Sequence, residues 1–357
     1  WSIVRFDHNF IGTSTRHPRS ERAGWLMDFI FIAQQSFSAA LGVNTIIFAL
    51  AAIGLNMHFG YTGLLNFGQA GFLAVGAYSV ATLVVSFNFP LWAALLIGIL
   101  NSIILALLLG LPTLRLRADY LAIVTIAAAE IIRQIARSAT FNEYLGGSDG
   151  ITGKFGKDFF DLNPFKDGLN TPLLRYTAND LWVVVTGWAL VIVVLFVMWL
   201  LVRSPWGRVL KAIREDEEAV RSLGKNVYLY KMQSLIIGGI FGSFAGFVYA
   251  LSRQSVQPDN YGTALTFFAY TVLILGGAAR VFAPIAGSVI FWFLLVFIEQ
   301  MLRQAVGAGY IPEWLIGVNQ VGQIRFMLVG LGLMMLMIFR PQGIFGDRKE
   351  LALDARA

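Results

Sequence analysis

Glu130 and Arg133 stand three residues apart, and Glu299 and Arg303 four apart, inside stretches that are otherwise apolar. At helical spacing each pair shares one face. A lone charge in the middle of a membrane costs roughly 2.5–3.5 kcal/mol, which pairing and a place near a helix end both reduce. Such pairs suit gating or contact with a zwitterionic solute, and they equally suit structural ion pairs near the interface. No unpaired acid near the centre of a tract offers itself for proton coupling. His8, His17 and His58 form no metal-ligand spacing, and a chain without cysteine has no disulfide, thiolate nucleophile or Cys-ligated metal. The stretch "GGSDGITGKFG" imitates a phosphate loop, but Ser148 and Phe155 occupy places where that loop needs Gly and Ser or Thr. No ATP site is therefore readable in this chain, nor a set of nucleophile, His and acid.

The elements that must position these groups follow from composition. Of 357 residues 57% are hydrophobic and 13% charged, with a mean hydropathy of +0.68. Soluble domains carry about a quarter charged residues, so this chain lacks the polar coat water demands. Several runs reach the about 18 apolar residues that span hydrocarbon as a helix. The reading is an all-α polytopic membrane protein. A net charge of +6 and a pI of about 9.6 then reflect Lys and Arg gathered on the cytoplasmic side rather than nucleic-acid binding. No cleavable signal peptide is visible, and because the chain opens on Trp1 a short initial segment is expected ahead of it.

The sequence predicts spans at 25–41, 42–58, 64–87, 90–111, 120–136, 181–202, 232–251, 264–279, 284–306 and 324–339. The first is weak, holding Asp28, Gln34 and Gln35. Basic clusters at Arg115/Arg117, Arg203 to Lys231, Arg280, and Arg340/Arg348/Lys349 assign the cytoplasmic side, leaving 138–180, 252–263 and 307–323 outside. Arg16, Arg19 and Arg22 place the segment 1–24 inside when four spans precede Arg115. Ten spans are thus expected over 25–339, with both termini and the tail 340–357 cytoplasmic. The alternative drops the first span and makes 64–87 re-entrant, leaving nine spans and one re-entrant segment.

Two segments carry packing signals. In "GYTGLLNFGQAGFLAVGAYS", Ala70, Ala74, Ala77 and Ala81 form one small-residue stripe beside Gly71. In "GGIFGSFAGFVYA", Gly238, Gly242, Gly246 and Ala250 form a tandem GxxxG run. In lipid, small residues let backbones approach, because dispersion rather than water expulsion drives association. Whether the GxxxG contact is internal or with another subunit stays open at this stage. Gly60, Gly63 and Gly68 with Asn66 and Gln69 weaken a continuous helix, and irregular backbone at membrane depth needs protein or a water-filled path around it. Asn56, Tyr61, Asn66, Gln69 and Glu130 are accordingly candidate path residues, tight packing without ligand contact being the other reading.

The internal segment "RSPWGRVLKAIREDEEAVRSLGKNVYLYK", Arg203 to Lys231, places Val209, Leu210, Ile213, Val220 and Leu223 near helical spacing. An acidic cluster, Glu215 to Glu218, lies among basic neighbours, and Gly224 offers a stop. The segment predicts one short amphipathic docking helix, since a helix lying on anionic headgroups would not present four consecutive acids.

These motifs resemble the permease subunits of branched-chain amino acid ABC importers, in particular the LivM-like subunit. The resemblance covers 45–346 through "GLNMHFGYTGLLNFGQAGFLAVGAYS", "LRADYLAIVTIAAAEIIRQ", "GGSDGI", "IREDEEAVRSLGKNVYLYK", "GGAARVFAPIAGS" and "FRPQGIFG". Gln69 departs from the histidine of many relatives, and "GGAARVFAP" from a commoner Gly/Leu/Trp-rich form. The resemblance implies an ABC importer permease fold in a bacterial inner membrane and a path shared with a similar LivH-like permease. It also implies two cytoplasmic ATPase subunits that bind the ATP and Mg, so that this chain is not itself an enzyme, and an external solute-binding protein. Ile213, Glu215, Asp216, Glu217, Arg221 and Gly224 then become the ATPase-coupling residues, and the 138–180 loop, including Gly146 to Ile151, a candidate contact for the binding protein. Urea or short-amide transport by a related permease and an ion-coupled secondary carrier are the alternatives; an intramembrane enzyme lacks the residues it would need.

Overall fold

The computed structural model describes residues 29–114, 118–153, 155–311, 317 and 320–346. The predicted segment 1–24, Arg115, Arg117, Arg348 and Lys349 lie outside the described residues. The order is α1 (Phe29–Ala40), α2 (Val43–Leu55), a π-helical turn (Asn56–Tyr61), α3 (Gln69–Val85), α4 (Leu91–Thr113) and α5 (Ala118–Arg137). Next come α6 (Asn142–Leu145), β1 (Ile151–Thr152), α7 (Lys157–Asp161), β2 (Leu169–Asn170) and β3 (Arg175–Tyr176). Then come α8 (Ala178–Arg203), α9 (Pro205–Glu215), α10 (Glu217–Ser222), α11 (Val227–Arg253), β4 (Ser255–Val256), α12 (Thr263–Gly276), α13 (Ala283–Gly307) and α14 (Val321–Phe339).

Each predicted span carries a helix, but the helices differ in their power to cross a membrane. Among the described residues six stretches are long and apolar enough: Phe29–Tyr61, α4, α8, α11, α13 and α14. The first of these runs through α1, α2 and the π turn as one stretch, where the sequence predicts two spans. Apolar α3 and α12 fall short at 17 and 14 residues. α5 has 20 residues but carries charge on one side.

Helix α11 sits at the centre, packed on α2, α3 and α4; α12 and α13 close one flank, α1 packs on α13, and α14 leans on α13 at the edge. The GxxxG run makes this possible. A Cβ at Gly238 would lie 2.6 Å from the carbonyl of Gly54 on α2, one at Gly242 would lie 2.5 Å from Gln69 Nε2, and one at Gly246 would strike the carbonyl of Leu73 on α3. The contact is internal to the chain. Ala70, Ala74 and Ala77 are all buried on the same side of the molecule. β1 pairs antiparallel with β4, Ile151 opposite Val256, which staples the 138–180 loop to the 252–263 loop.

At the C-terminal end of α12 the chain's last described segment folds back. Ile344 N–H donates to Leu275 O and Phe345 N–H to Gly276 O, each at 3.0 Å. Gly277 and Gly343 hold positive φ (113° and 80°) where the two strands of chain pass each other.

Candidate functional site

The segment 203–231 forms two helices, α9 and α10, not the single predicted one. Ser204 ends α8 and caps α9, with Gly207 N–H donating to its Oγ at 3.3 Å and Pro205 preset for the first turn. Asp216 takes an extended backbone (φ −154°, ψ 103°), stops α9, and accepts from Ala219 N–H at 3.0 Å to start α10. An aspartate competes with the helix for its own backbone donors, so the break falls on it. Gly224 holds φ +76° just past α10, as its stop signal predicts.

Leu210, Ile213 and Val220 turn inward and are buried, so Ile213 anchors the element to the permease rather than presenting itself outside. Glu215, Asp216, Glu218 and Arg221 are exposed. Arg221 pairs with Glu217 at 3.0 Å and Glu218 at 2.9 Å, and Glu217 also contacts Lys231 of α11. Leu223, predicted on the apolar face, is instead 80% exposed at the tip.

Four of the five candidate path residues, Asn56, Tyr61, Asn66 and Gln69, are sealed inside the chain. Asn56 Nδ2 donates to Arg280 O at 2.8 Å and its Oδ1 accepts from Ala279 N–H at 2.9 Å. Asn66 Nδ2 donates to His58 Nδ1 at 3.1 Å and to Gln69 Oε1 at 3.3 Å. Gln69 Nε2 in turn reaches Gly238 O at 3.3 Å. His58 Nε2 meets Leu235 O at 3.2 Å; a carbonyl only accepts, so the ring donates from Nε2 while its Nδ1 accepts from Asn66. This network, with Tyr270 OH donating to Asn66 O at 2.9 Å, fills the irregular stretch before α3 with paired polar groups. His58 and Tyr270 belong to it and were missed. The signal for His58, a lone ring in an apolar tract one turn from Gly54, was present but has too many bland readings.

Asn56→Leu tests how much of the fold this network holds. It leaves a buried N–H and a buried carbonyl unpaired, at about 1–3 kcal/mol each. A lowered thermal midpoint in detergent is expected; an unchanged midpoint would mean that water replaces the amide.

Only Glu130 of the five reaches a surface, its side chain 40% exposed. It accepts from Arg133 and from Gln134, while Arg133 also holds Asp259 at 2.7 Å, joining α5 to the 252–263 loop. The same side of α5 exposes Tyr120, Ile123, Ala127, Ile131 and Gln134. The second charged pair is structural as well: Glu299 bonds Arg303 at 2.8 Å and also contacts Arg325 of α14. An apolar cavity of about 420 Å³ lies between α3, α4 and α5, walled by Ala74, Tyr78, Leu105 and Ile132. None of the sealed polar residues lines it. Of the Gly146 to Ile151 stretch only Ser148 and Asp149 are exposed; Ile151 is buried in the β1–β4 pairing.

A bundle of apolar helices closed by glycine contacts, with a two-helix element between α8 and α11, is the architecture of a polytopic membrane protein. Residues 39–339 match the family described as branched-chain amino acid transport system, permease component, and the chain belongs to that family. It is 34% identical over 318 residues to the high-affinity branched-chain amino acid transport system permease protein LivM of Salmonella typhimurium, covering 86% of this chain and 69% of that one. The LivM of Escherichia coli is 34% identical over 311 residues, with 84% and 68% covered. A probable LivM of Methanocaldococcus jannaschii is 25% identical over 349 residues, with 85% and 91% covered.

Proposed function

We propose that this chain is the LivM-like half of an ATP-driven importer of branched-chain amino acids. In this reading it pairs with a LivH-like permease, receives solute from an external binding protein, and rests on two cytoplasmic ATPases that bind the ATP and Mg. The observation that carries the reading, beyond family membership, is the α9–α10 element. Its apolar face is anchored in the permease while Glu215, Asp216, Glu218 and Leu223 are exposed. In this reading the protein spans a bacterial plasma membrane ten times with both termini inside, the short helices α3 and α12 being shielded by their neighbours.

The path runs between the two permeases, and α5 is the wall this chain supplies. A crossing helix whose free face holds Tyr120, Glu130 and Gln134 is a poor neighbour for lipid, whereas α4 and α8 present apolar residues outward. Branched side chains would slide past Ile123, Ala127 and Ile131, with Glu130 near the outer mouth. ATP-driven closure of the ATPases draws the two inner elements together and opens the path outward; hydrolysis resets it. The glycine contacts of α11 join the helices into bodies that move as units.

The test is purification of the complex in mild detergent. A P-loop ATPase and a second, similar permease are expected, with hydrolysis stimulated by leucine and its binding protein but not by urea. Because the chain has no cysteine, a single Ala127→Cys reports the path without background. It is expected to react with a water-soluble maleimide and to be protected by leucine. A chain that purifies alone and transports on an ion gradient would end the importer reading. Maleimide reactivity indifferent to leucine would end the assignment of α5.

A further inference from the structure

The inner end of α2 is built as a socket for α9. The turn Asn56–Tyr61 is π-helical, a widened turn that recurs at functional sites because its extra residue re-aims side chains and backbone groups. Helix α9 reaches this turn with two cations three residues apart. Lys211 Nζ lies 5.6 Å from the centre of the Tyr61 ring, and Arg214 Nη1 donates to Gly60 O at 2.6 Å. Tyr61, predicted along the path, is thereby a floor for the inner element, 1% exposed.

The socket does not yield locally. A Cβ at Gly60 would strike Asn56 Oδ1 and lie 2.7 Å from Ala279 N, so the backbone there is pressed between α2 and the loop after α12. Asn56 grips that loop through Ala279 N–H and Arg280 O. Gly63, at φ +73°, keeps the following chain against Arg214, where a Cβ would lie 3.4 Å from Arg214 Cγ. Contacts run without a gap from α9 to the π turn, to Asn56, and on to the loop that opens α13.

We propose that Lys211 and Arg214 are the positioning residues through which motion of the inner element enters the transmembrane core, with the π turn as receiver. The inference rests on the importer reading above. The element has two sides with separate tasks. Glu215, Glu218 and Leu223 face away from the permease, and Lys211 and Arg214 hold the turn. Energetic coupling between sites travels through contacts of this kind when one element has two arrangements. Removing the tie disconnects hydrolysis from transport while leaving the outer side of the element able to hold an ATPase.

The experiment uses the complete complex, with both permeases, both ATPases and the binding protein, in proteoliposomes. It compares Arg214→Ala, Arg214→Lys and Lys211→Met, reading leucine moved per ATP hydrolysed and ATPase retained on the permease. Arg214→Ala is expected to keep its ATPase and to lose about tenfold in leucine per ATP, within the range of measured site-to-site couplings. Arg214→Lys restores most of the ratio, since an ammonium still donates to Gly60 O. Lys211→Met shows a smaller fall, and it carries the test if Arg214→Ala fails to fold. A wild-type ratio in both Arg214→Ala and Lys211→Met overturns the proposal. So does loss of the ATPase from Arg214→Ala and Arg214→Lys alike, which would place the tie in assembly. A wild-type permease that retains no ATPase refutes the importer reading first, and this inference with it.

Discussion

Gly238→Leu is expected to leave almost no folded protein. A Cβ at that position would strike His58 Nε2 and stand 2.6 Å from the carbonyl of Gly54, before the rest of the leucine is placed. Overpacking costs about 1–3 kcal/mol where side chains can step aside. Here one obstacle is the backbone of α2, and the other is a ring fixed by Leu235 O and Asn66. Displacing His58 leaves buried partners unpaired, at about 1–3 kcal/mol each. The sum consumes much of the roughly 5–15 kcal/mol that stabilises an ordinary domain. Gly330→Leu on α14 is the matched control, since nothing lies within 4 Å of its Cβ position. Size-exclusion profiles of detergent extracts check both: aggregate or nothing for Gly238→Leu, a wild-type peak for Gly330→Leu. A monodisperse Gly238→Leu at wild-type level would mean that α2 and α11 are not clamped as described.

Leu223→Asp is expected to strip the ATPase from a permease that is otherwise intact. Leu223 is 80% exposed beside Gly224, while the residues that fix the element, Leu210, Ile213 and Val220, are buried elsewhere. A substitution at so exposed a site changes stability within about ±0.5 kcal/mol. An exposed leucine at the tip of an anchored element is, however, the shape of an interface anchor. A charge in the pocket that receives it costs about 2 kcal/mol or more, some 30-fold in affinity. The amount of ATPase retained on tagged permease after washing reads this directly. Undiminished retention, with a wild-type elution profile, would remove Leu223 from the interface.

The helices were legible because hydropathy over a span is a sum over many residues, and sums survive local exceptions. Every predicted span holds a helix, and the family resemblance carried by motifs such as "IREDEEAVRSLGKNVYLYK" agrees with the match over 39–339. The points that the sequence left open share a cause: each depended on contacts that only the folded chain supplies. Asn66 and Gln69 looked like path residues because amides in an apolar tract require a reason. The reason is each other, His58 and the carbonyl of Gly238, a residue 169 positions further on than Gln69. Asp216 was grouped with its acidic neighbours, although a cap and a surface charge read alike until the backbone turns. Whether the GxxxG run faced inward or outward depended on Gly54 lying opposite it on α2, and that pairing is set by tertiary packing.

The fold-back at the end of the chain has a consequence in time. The last carbonyls of a helix have no partner within it. For α12 those of Leu275 and Gly276 are satisfied by Ile344 and Phe345, about seventy residues later. During synthesis α12 therefore waits, its inner end open to water or to the insertion machinery, while α13 and α14 are threaded after it. The bundle latches shut from a late segment, and a chain cut short before residue 344 holds every described helix without the bonds that close α12.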